Sequence, residues 1–436
     1  MLPDDNGRTS VLDDRWVTGD IYGLSLPAEP EGLLEGGPDF LTRAFRAFGA
    51  MSPDNSVVSI KDSDAFFGGG SGRKMLLTVE YEFAEPNLPE QLFVKFSRNF
   101  YNELWDSARF MMVSEARLAN LARVPGFPVT VPRAQFADVD STTGTGLTIT
   151  ECIPYGRDGV EPLHLKCMDY TVANVLEHYK TILGELARLS GAHRSGRLAA
   201  EFDQYFPYSP EKALESATIS ISEEKLLQRA HKLFDFMGKH PQLFPDNVRT
   251  PELHETFIHD IPDLIAKTDV ISKILCGNPD LVAFAHWNAN IDNCWFWRDD
   301  AGELHCGFID WGNAGPMSVA RAICGSIGSG DPEIWNEHLD ELLQWFISEY
   351  SAHGGPSLDL DELRLHVLLH SVVGAVAFGM GAPVALRREI DDLDSVTSYR
   401  DDCFLEHENS RIQLHGARKF LDLWQTYRLG DLVRSL

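Results

Sequence analysis

Two side chains in this sequence have a chemistry that follows from local geometry, Asn293 and Asp310. Asn293 precedes a predicted strand, Cys294–Trp297, and Asp310 follows a second, Leu304–Ile309. Between them Arg298-Asp299-Asp300-Ala301-Gly302 supplies turn-forming residue types, so the two strands read as an antiparallel hairpin. In such a hairpin the start of one strand lies beside the end of the other. Asn293 and Asp310 are therefore expected as neighbours at its open end. An amide oxygen and a carboxylate are hard ligands suited to Mg²⁺ held together with phosphate groups. Taken alone, the two residues would serve equally well as loop caps.

The flanking residues add meaning. The segment before the hairpin runs Phe284-Ala285-His286-Trp287-Asn288-Ala289-Asn290-Ile291-Asp292-Asn293, and the one after it Phe308-Ile309-Asp310-Trp311-Gly312-Asn313-Ala314-Gly315-Pro316. The pair resembles the H-G-D-x-x-x-x-N and I-D-W motifs of the aminoglycoside phosphotransferase and choline kinase family, small-molecule kinases with a protein-kinase-like fold. The resemblance extends upstream. Lys95, in Phe93-Val94-Lys95-Phe96, matches the strand lysine that pairs with nucleotide phosphates, and Glu115, in Ser114-Glu115-Ala116-Arg117, matches the helix glutamate that holds it. The turn from Gly68 to Gly72, with Gly69, Gly70 and Ser71, matches the loop that covers the phosphates. Thr150-Glu151-Cys152-Ile153 matches the linker whose backbone reads adenine, which implicates Glu151 and Ile153. The resemblance covers roughly residues 55–330. It implies ATP as the nucleotide, Mg²⁺ held by Asn293 and Asp310, and a small-molecule hydroxyl as acceptor. The glycine turn or Lys95 alone would imply none of this, being ordinary features of a hairpin and a strand edge.

One departure weighs against the matches. Where the family carries an aspartate that accepts the hydroxyl's proton, this chain has Asn288, and Trp287 replaces the glycine beside it. An amide orients a hydroxyl but cannot take its proton. General-base assistance is worth about 10²–10⁴-fold, or roughly 3–5 kcal/mol. Phosphoryl transfer nevertheless depends largely on positioning and charge neutralisation. Asn288 is left to place the acceptor hydroxyl and His286 to support the loop. Asp292, four residues on, is a substitute base, against the simpler reading of a surface carboxylate. Two functions stand: an ATP-dependent phosphotransferase, or a nucleotide-binding pseudokinase that transfers nothing.

The elements needed to position these residues are visible in the apolar periodicity. Strands are expected at Val57–Ile60, Met75–Phe83, Gln91–Phe96, Gln135–Val139 and Gly146–Cys152, with an amphipathic helix over Asp106–Arg123. Beyond them the chain turns helical. Val172 to Leu189 repeats apolar residues at helical spacing, and further helices are expected at 223–239, 252–275, 332–353, 360–381 and 410–428. The fold class is α+β, a two-lobed protein-kinase-like fold. Residues 1–50 form an N-terminal extension, loose up to residue 37. Residues 51–153 form a small antiparallel-sheet lobe with one helix, and 154–436 a larger, mainly helical lobe. A cleft between two such lobes is a common ligand site.

Composition narrows the partners. The 436 residues carry a formal net charge of −27, a field that repels nucleic acid. It favours solubility first, and it can also steer a cationic acceptor. Seven scattered cysteines without a C-x-x-C pair suit a reducing compartment, and the acidic start Met-Leu-Pro-Asp-Asp lacks a signal-peptide pattern, so a cytoplasmic protein is expected. The apolar stretch Val367–Leu386 holds His370, three glycines and Pro383, which reads as a buried helix rather than a membrane span. Other chemistries fail on spacing. His305 and Cys306 are adjacent on a strand and face opposite ways, so they cannot close a zinc set with His286 and Cys294. Ser71 has Arg73 where a hydrolase elbow needs glycine. Trp295 and Trp297 read as packing rather than a base-stacking platform.

Overall fold

A computed structural model of the chain describes residues 15–70 and 72–436. In chain order the elements are β1 (Trp16–Thr18), β2 (Ser25–Pro27), α1 (Pro30–Phe48), β3 (Val57–Phe66), β4 (Lys74–Tyr81), β5 (Gln91–Phe96), α2 (Glu103–Asp106), α3 (Met111–Leu121), β6 (Ala134–Asp140) and β7 (Thr145–Glu151). Then come α4 (Val175–Arg194), α5 (Glu201–Tyr205), α6 (Pro210–Ser216), α7 (Glu223–Lys239), α8 (Pro251–Ala266), α9 (Thr268–Gly277), β8 (Val282–His286), β9 (Cys294–Arg298), β10 (Leu304–Phe308) and β11 (Ala314–Ser318). The chain ends with α10 (Val319–Ser326), α11 (Pro332–Ala352), α12 (Leu360–Phe378), α13 (Ala382–Glu389), α14 (Glu408–Thr426) and α15 (Leu429–Ser435). The class is α+β, as expected.

The chain divides into two compact units. The first comprises residues up to Val160, with Leu198–Pro207 and Gly307–Gly315; the second comprises Glu161–Arg197, Tyr208–Cys306 and Pro316–Leu436.

The first unit is built on a five-stranded antiparallel sheet of order β3-β4-β5-β7-β6. Strand alternation sets its two faces. Met75, Leu77 and Val79 of β4 and Leu92, Val94 and Phe96 of β5 fill one core, with Phe136 and Val139 of β6 and Leu147 and Ile149 of β7. Phe40, Leu41, Phe45 and Phe48 of α1 belong to the same core, and the Phe40 ring meets Phe136 edge-on at 6.2 Å.

That packing revises the loose N-terminal extension. Leu26 and Leu33 are fully buried, and α1 begins at Pro30, seven residues before the expected loop ends. Gly36-Gly37-Pro38 signals a break in the sequence. The structure resolves the signal as a kink between two helical halves of α1, with non-helical backbone at Gly37, φ 53°, and Pro38 following it. Proline removes one helical hydrogen bond and glycine absorbs the turn, while Leu33 and Phe40 keep both halves on the sheet.

The second unit is mainly helical. Tyr179, Ile182, Leu183, Leu186 and Leu189 of α4 are fully buried, the face read from the sequence. The long helix expected over 252–275 is two, α8 and α9, parted at Lys267. Two short elements around the hairpin escaped the sequence, β8 and β11, which pair with each other. Each has only five residues, too few to show a period. The Val367–Leu386 stretch ends its helix at Phe378 and carries buried His370, with His366, also buried, just before it. Among the described residues no single helix is long and apolar enough to cross a membrane.

The place of α1 in the core is checkable. Phe40→Ala should lower the free energy of unfolding by about 3–5 kcal/mol in a denaturant titration. Leu34→Ala, at an exposed position of the same helix, should change it by less than about 0.5 kcal/mol.

Candidate functional site

Lys95 lies on β5, and its pairing fixes where it points. Val94 is buried in the core, so Lys95 faces the other way, beside its cross-strand partners Lys74 on β4 and Thr148 on β7. Its ammonium Nζ lies 2.5 Å from Glu115 Oε1 and 2.5 Å from Asp310 Oδ1. Glu115 comes from α3, whose Met112 and Ala116 anchor it in the sheet core. Asp310 comes from a short segment after β10. It sits in the left-handed region, φ 61°, a conformation unusual for any residue but glycine and commonest for Asn and Asp among the rest. The Trp311 indole donates to the Phe308 carbonyl at 2.9 Å and Phe308 N to the Thr130 carbonyl at 2.9 Å, pinning that segment. Gly312 is needed there: a Cβ would come within 2.7 Å of the Met111 Cβ and 3.1 Å of Glu115 Oε1.

Two carboxylates thus share one ammonium. Burial works against the charge on Lys95, but Asp310 and Glu115 outweigh it and hold its pKa above the usual lysine value. Burial also pushes the Glu115 carboxyl up, against the pull of Lys95, and Asp310 adds to the rise. The ammonium is the fixed charge of the cluster, and the two acids around it exceed it.

Lys74 opens β4, one residue before the strand expected from the sequence. Its ammonium donates to the carbonyl of Gly68 and, at 2.9 Å, to that of Gly72. The glycine loop is therefore folded around a lysine that stands beside Lys95. Gly69 has φ 64°, and a Cβ at Gly72 would fall 2.1 Å from the Phe96 carbonyl oxygen, so both positions demand glycine. Gly70 has open space around it. Ser71 lies outside the described residues.

The linker residues are partly engaged within the fold. Glu151 accepts from the Arg133 backbone N–H at 2.9 Å through its carboxylate, and the Ile153 carbonyl accepts from Tyr155 N at 3.0 Å.

The second unit holds the other predicted residues. His286 ends β8 and is fully buried. Its Nδ1 accepts from Asn288 N at 3.2 Å, so the ring hydrogen is on Nε2. Asn288 Oδ1 accepts from Asn290 Nδ2 at 2.9 Å, and Asn293 Nδ2 donates to the Asn288 carbonyl at 2.9 Å. The loop is cross-linked by these two side-chain amides. Trp287 fits because of a residue with no sequence signal, Gly325 on α10. A Cβ there would lie 2.0 Å from the Trp287 carbonyl oxygen and 2.9 Å from its indole.

Asp292 is not the solvated loop carboxylate that the simpler reading expected. Its side chain is mostly buried, 3.5 Å from Lys166 Nζ, and Oδ1 has no hydrogen-bond partner. Burial raises its pKa, with Lys166 opposing. Asp169, also missed, behaves similarly: burial pushes it up to about 8, with the Tyr179 hydroxyl hydrogen bond pulling down and Asp331 and Asp292 adding to the rise. The sequence around it, Met168-Asp169-Tyr170, offers no pattern that could have marked it.

Gly325→Ala should lower stability by roughly 1–3 kcal/mol, the usual range for overpacking. The clash is with a backbone carbonyl, so Trp287→Gly should not restore it, as read by urea denaturation of the single and double variants.

No protein-family model matches the chain, and no curated protein matches it. Solved structures similar to it include a choline kinase from Cryptosporidium parvum Iowa II, at 14 % identity and TM-score 0.43 over 85 % of this chain and 93 % of that one. A choline/ethanolamine kinase family protein from Mesorhizobium loti is 12 % identical, TM-score 0.40, over 90 % and 95 %. The GDP complex of aminoglycoside 2′-phosphotransferase-IIIa is 12 % identical, TM-score 0.38, over 84 % and 94 %. The chain is thus similar to choline and ethanolamine kinases and aminoglycoside phosphotransferases, at a level where side-chain geometry, and not overall likeness, must decide its chemistry.

Proposed function

We propose that this protein is an ATP-dependent phosphotransferase acting on a hydroxyl of a small molecule. The observation that carries the reading is Lys95, held by Glu115 and Asp310 at 2.5 Å each. A lysine fixed by a helix carboxylate beneath a glycine loop is the arrangement that grips nucleotide phosphates. Lys74 would add a second ammonium on the same face.

Asp310 and Asn293 each offer an oxygen of the kind Mg²⁺ takes, one a carboxylate and one an amide, and these two residues would hold the ion. When bound, the ion would neutralise phosphate charge. Lys95 would hold the phosphates in line, Glu115 would keep Lys95 in place, and the Glu151–Ile153 backbone would face the base.

The proton of the acceptor hydroxyl needs a carboxylate. Asn288 cannot take it, and its Oδ1 is already engaged by Asn290. Asp292 has an oxygen without a hydrogen-bond partner and a raised pKa, two properties that suit a proton acceptor. Asn288 would place the hydroxyl and Asp292 would accept its proton. The acidic surface suits a cationic acceptor. The second reading, a pseudokinase, is favoured by the same engaged Asn288 amide.

Mg-ATP should raise the melting temperature, because a ligand selective for the native state stabilises it, and Asp310→Ala should abolish the shift. No shift with any purine nucleotide plus metal would end the kinase reading.

ADP formation with a panel of hydroxyl acceptors should show turnover that Asp292→Asn lowers by about 10²-fold or more. Asn288→Asp should raise turnover by up to about 10²-fold. ATP binding without turnover in the wild type and in Asn288→Asp would establish the pseudokinase instead.

A further inference from the structure

Glu161, His164 and His178 converge at the start of the second unit, apart from the residues discussed so far. His164 Nε2 lies 3.0 Å and His178 Nε2 2.9 Å from the same oxygen, Glu161 Oε2. The three ligand-capable atoms lie within 4.8 Å of one another.

The ring of His178 gives the cluster its meaning. It is 2 % exposed, and its Nδ1 faces the Asn174 carbonyl oxygen at 3.3 Å. A carbonyl only accepts, so Nδ1 carries the hydrogen. Nε2 of the neutral ring is then a lone pair, aimed at a carboxylate that also offers only lone pairs. Such a pair at 2.9 Å needs a proton on one partner or a metal ion between them. Metal-bound imidazoles show the same pattern, one nitrogen on the ion and the other fixed by a backbone carbonyl. Phe296 closes one side, its ring 4.7 Å from His178 and 5.6 Å from His164, while Glu161 N donates to the Phe296 carbonyl at 2.8 Å.

Two imidazoles and one carboxylate are a donor set for zinc, which takes three protein ligands and leaves a fourth position open. Mg²⁺ prefers oxygens throughout. We propose that Glu161, His164 and His178 form a zinc(II) site that ties the segment beginning at Glu161 to α4 and, through Phe296, to β9. Zinc there would replace the proton that His178 otherwise needs. The site is separate from the Mg-nucleotide reading and stands or falls without it.

The test uses the full chain, stripped of metal by a chelator and titrated with Zn²⁺ alone, without nucleotide. Calorimetry should show one equivalent bound, with a rise in melting temperature. Co²⁺ in its place should give the visible absorption of a tetrahedral nitrogen-oxygen site without thiolate charge transfer. His164→Gln and Glu161→Gln should each weaken binding by at least about 10–100-fold, the range already seen on losing an outer-shell partner. Glu161→Gln keeps the side-chain shape and its hydrogen-bonding capacity, and circular dichroism of the metal-free variants checks their folding. His305→Gln, in the more exposed group with Asp299 and Glu303, should leave binding unchanged. Absence of Zn²⁺ binding, binding that survives both ligand substitutions, or a Co²⁺ spectrum with thiolate bands would overturn the site and leave His178 as an imidazolium paired with Glu161.

Discussion

A buried ammonium shared by two carboxylates organises the first unit. Lys95 cannot be left alone at that depth, because an unpaired buried charge costs several kcal/mol. Its partners therefore have to arrive from elements far apart in sequence, Glu115 from α3 and Asp310 from the segment after β10. That requirement explains otherwise odd features. Gly312 lacks a side chain because the Asp310 segment must pass against Met111 and Glu115. Asp310 accepts a left-handed backbone to turn its carboxylate toward the lysine. The alternation of β5, with Val94 inward and Lys95 outward, holds only in the register that pairs Lys95 with Lys74 and Thr148. A one-residue slip would bury the lysine among phenylalanines.

Much of this was legible in the sequence, and the residues show why. The strands around Leu77, Val79, Leu92 and Val94 alternate cleanly, and α4 and α7 carry long apolar stripes, so local periodicity was enough to find them. Lys95, Glu115 and Asp310 were found through their motif surroundings, and the structure brings them together. What escaped depends on distant contacts. Lys74 looked like a strand flank until the loop carbonyls closed on it. Gly325 has no meaning without Trp287, which it accommodates from a helix 38 positions later in the chain. Asp169 and Asp292 acquire their raised pKa values from burial, which no local pattern encodes. The Gly36-Gly37-Pro38 signal was real but ambiguous, since the same residues write a loop or a kink, and only the burial of Leu33 and Phe40 on either side decides.

The loop around position 288 is held from within. The Asn290 side chain donates to Asn288 Oδ1, the Asn293 side chain donates to the Asn288 carbonyl, Asn288 N donates to His286 Nδ1, and Trp287 has a glycine opposite its carbonyl. Bonds made inside the loop lower the cost of ordering it around anything that binds.

The lysine inside the glycine loop couples charge to backbone order. Lys74 donates to the carbonyls of Gly68 and Gly72, so the loop folds back on the side chain of the strand that follows it. An ammonium has three hydrogens to give, and whatever Lys74 gives to its own loop it shares with any other acceptor that comes within reach. The order of the loop and the charge it presents therefore depend on one side chain.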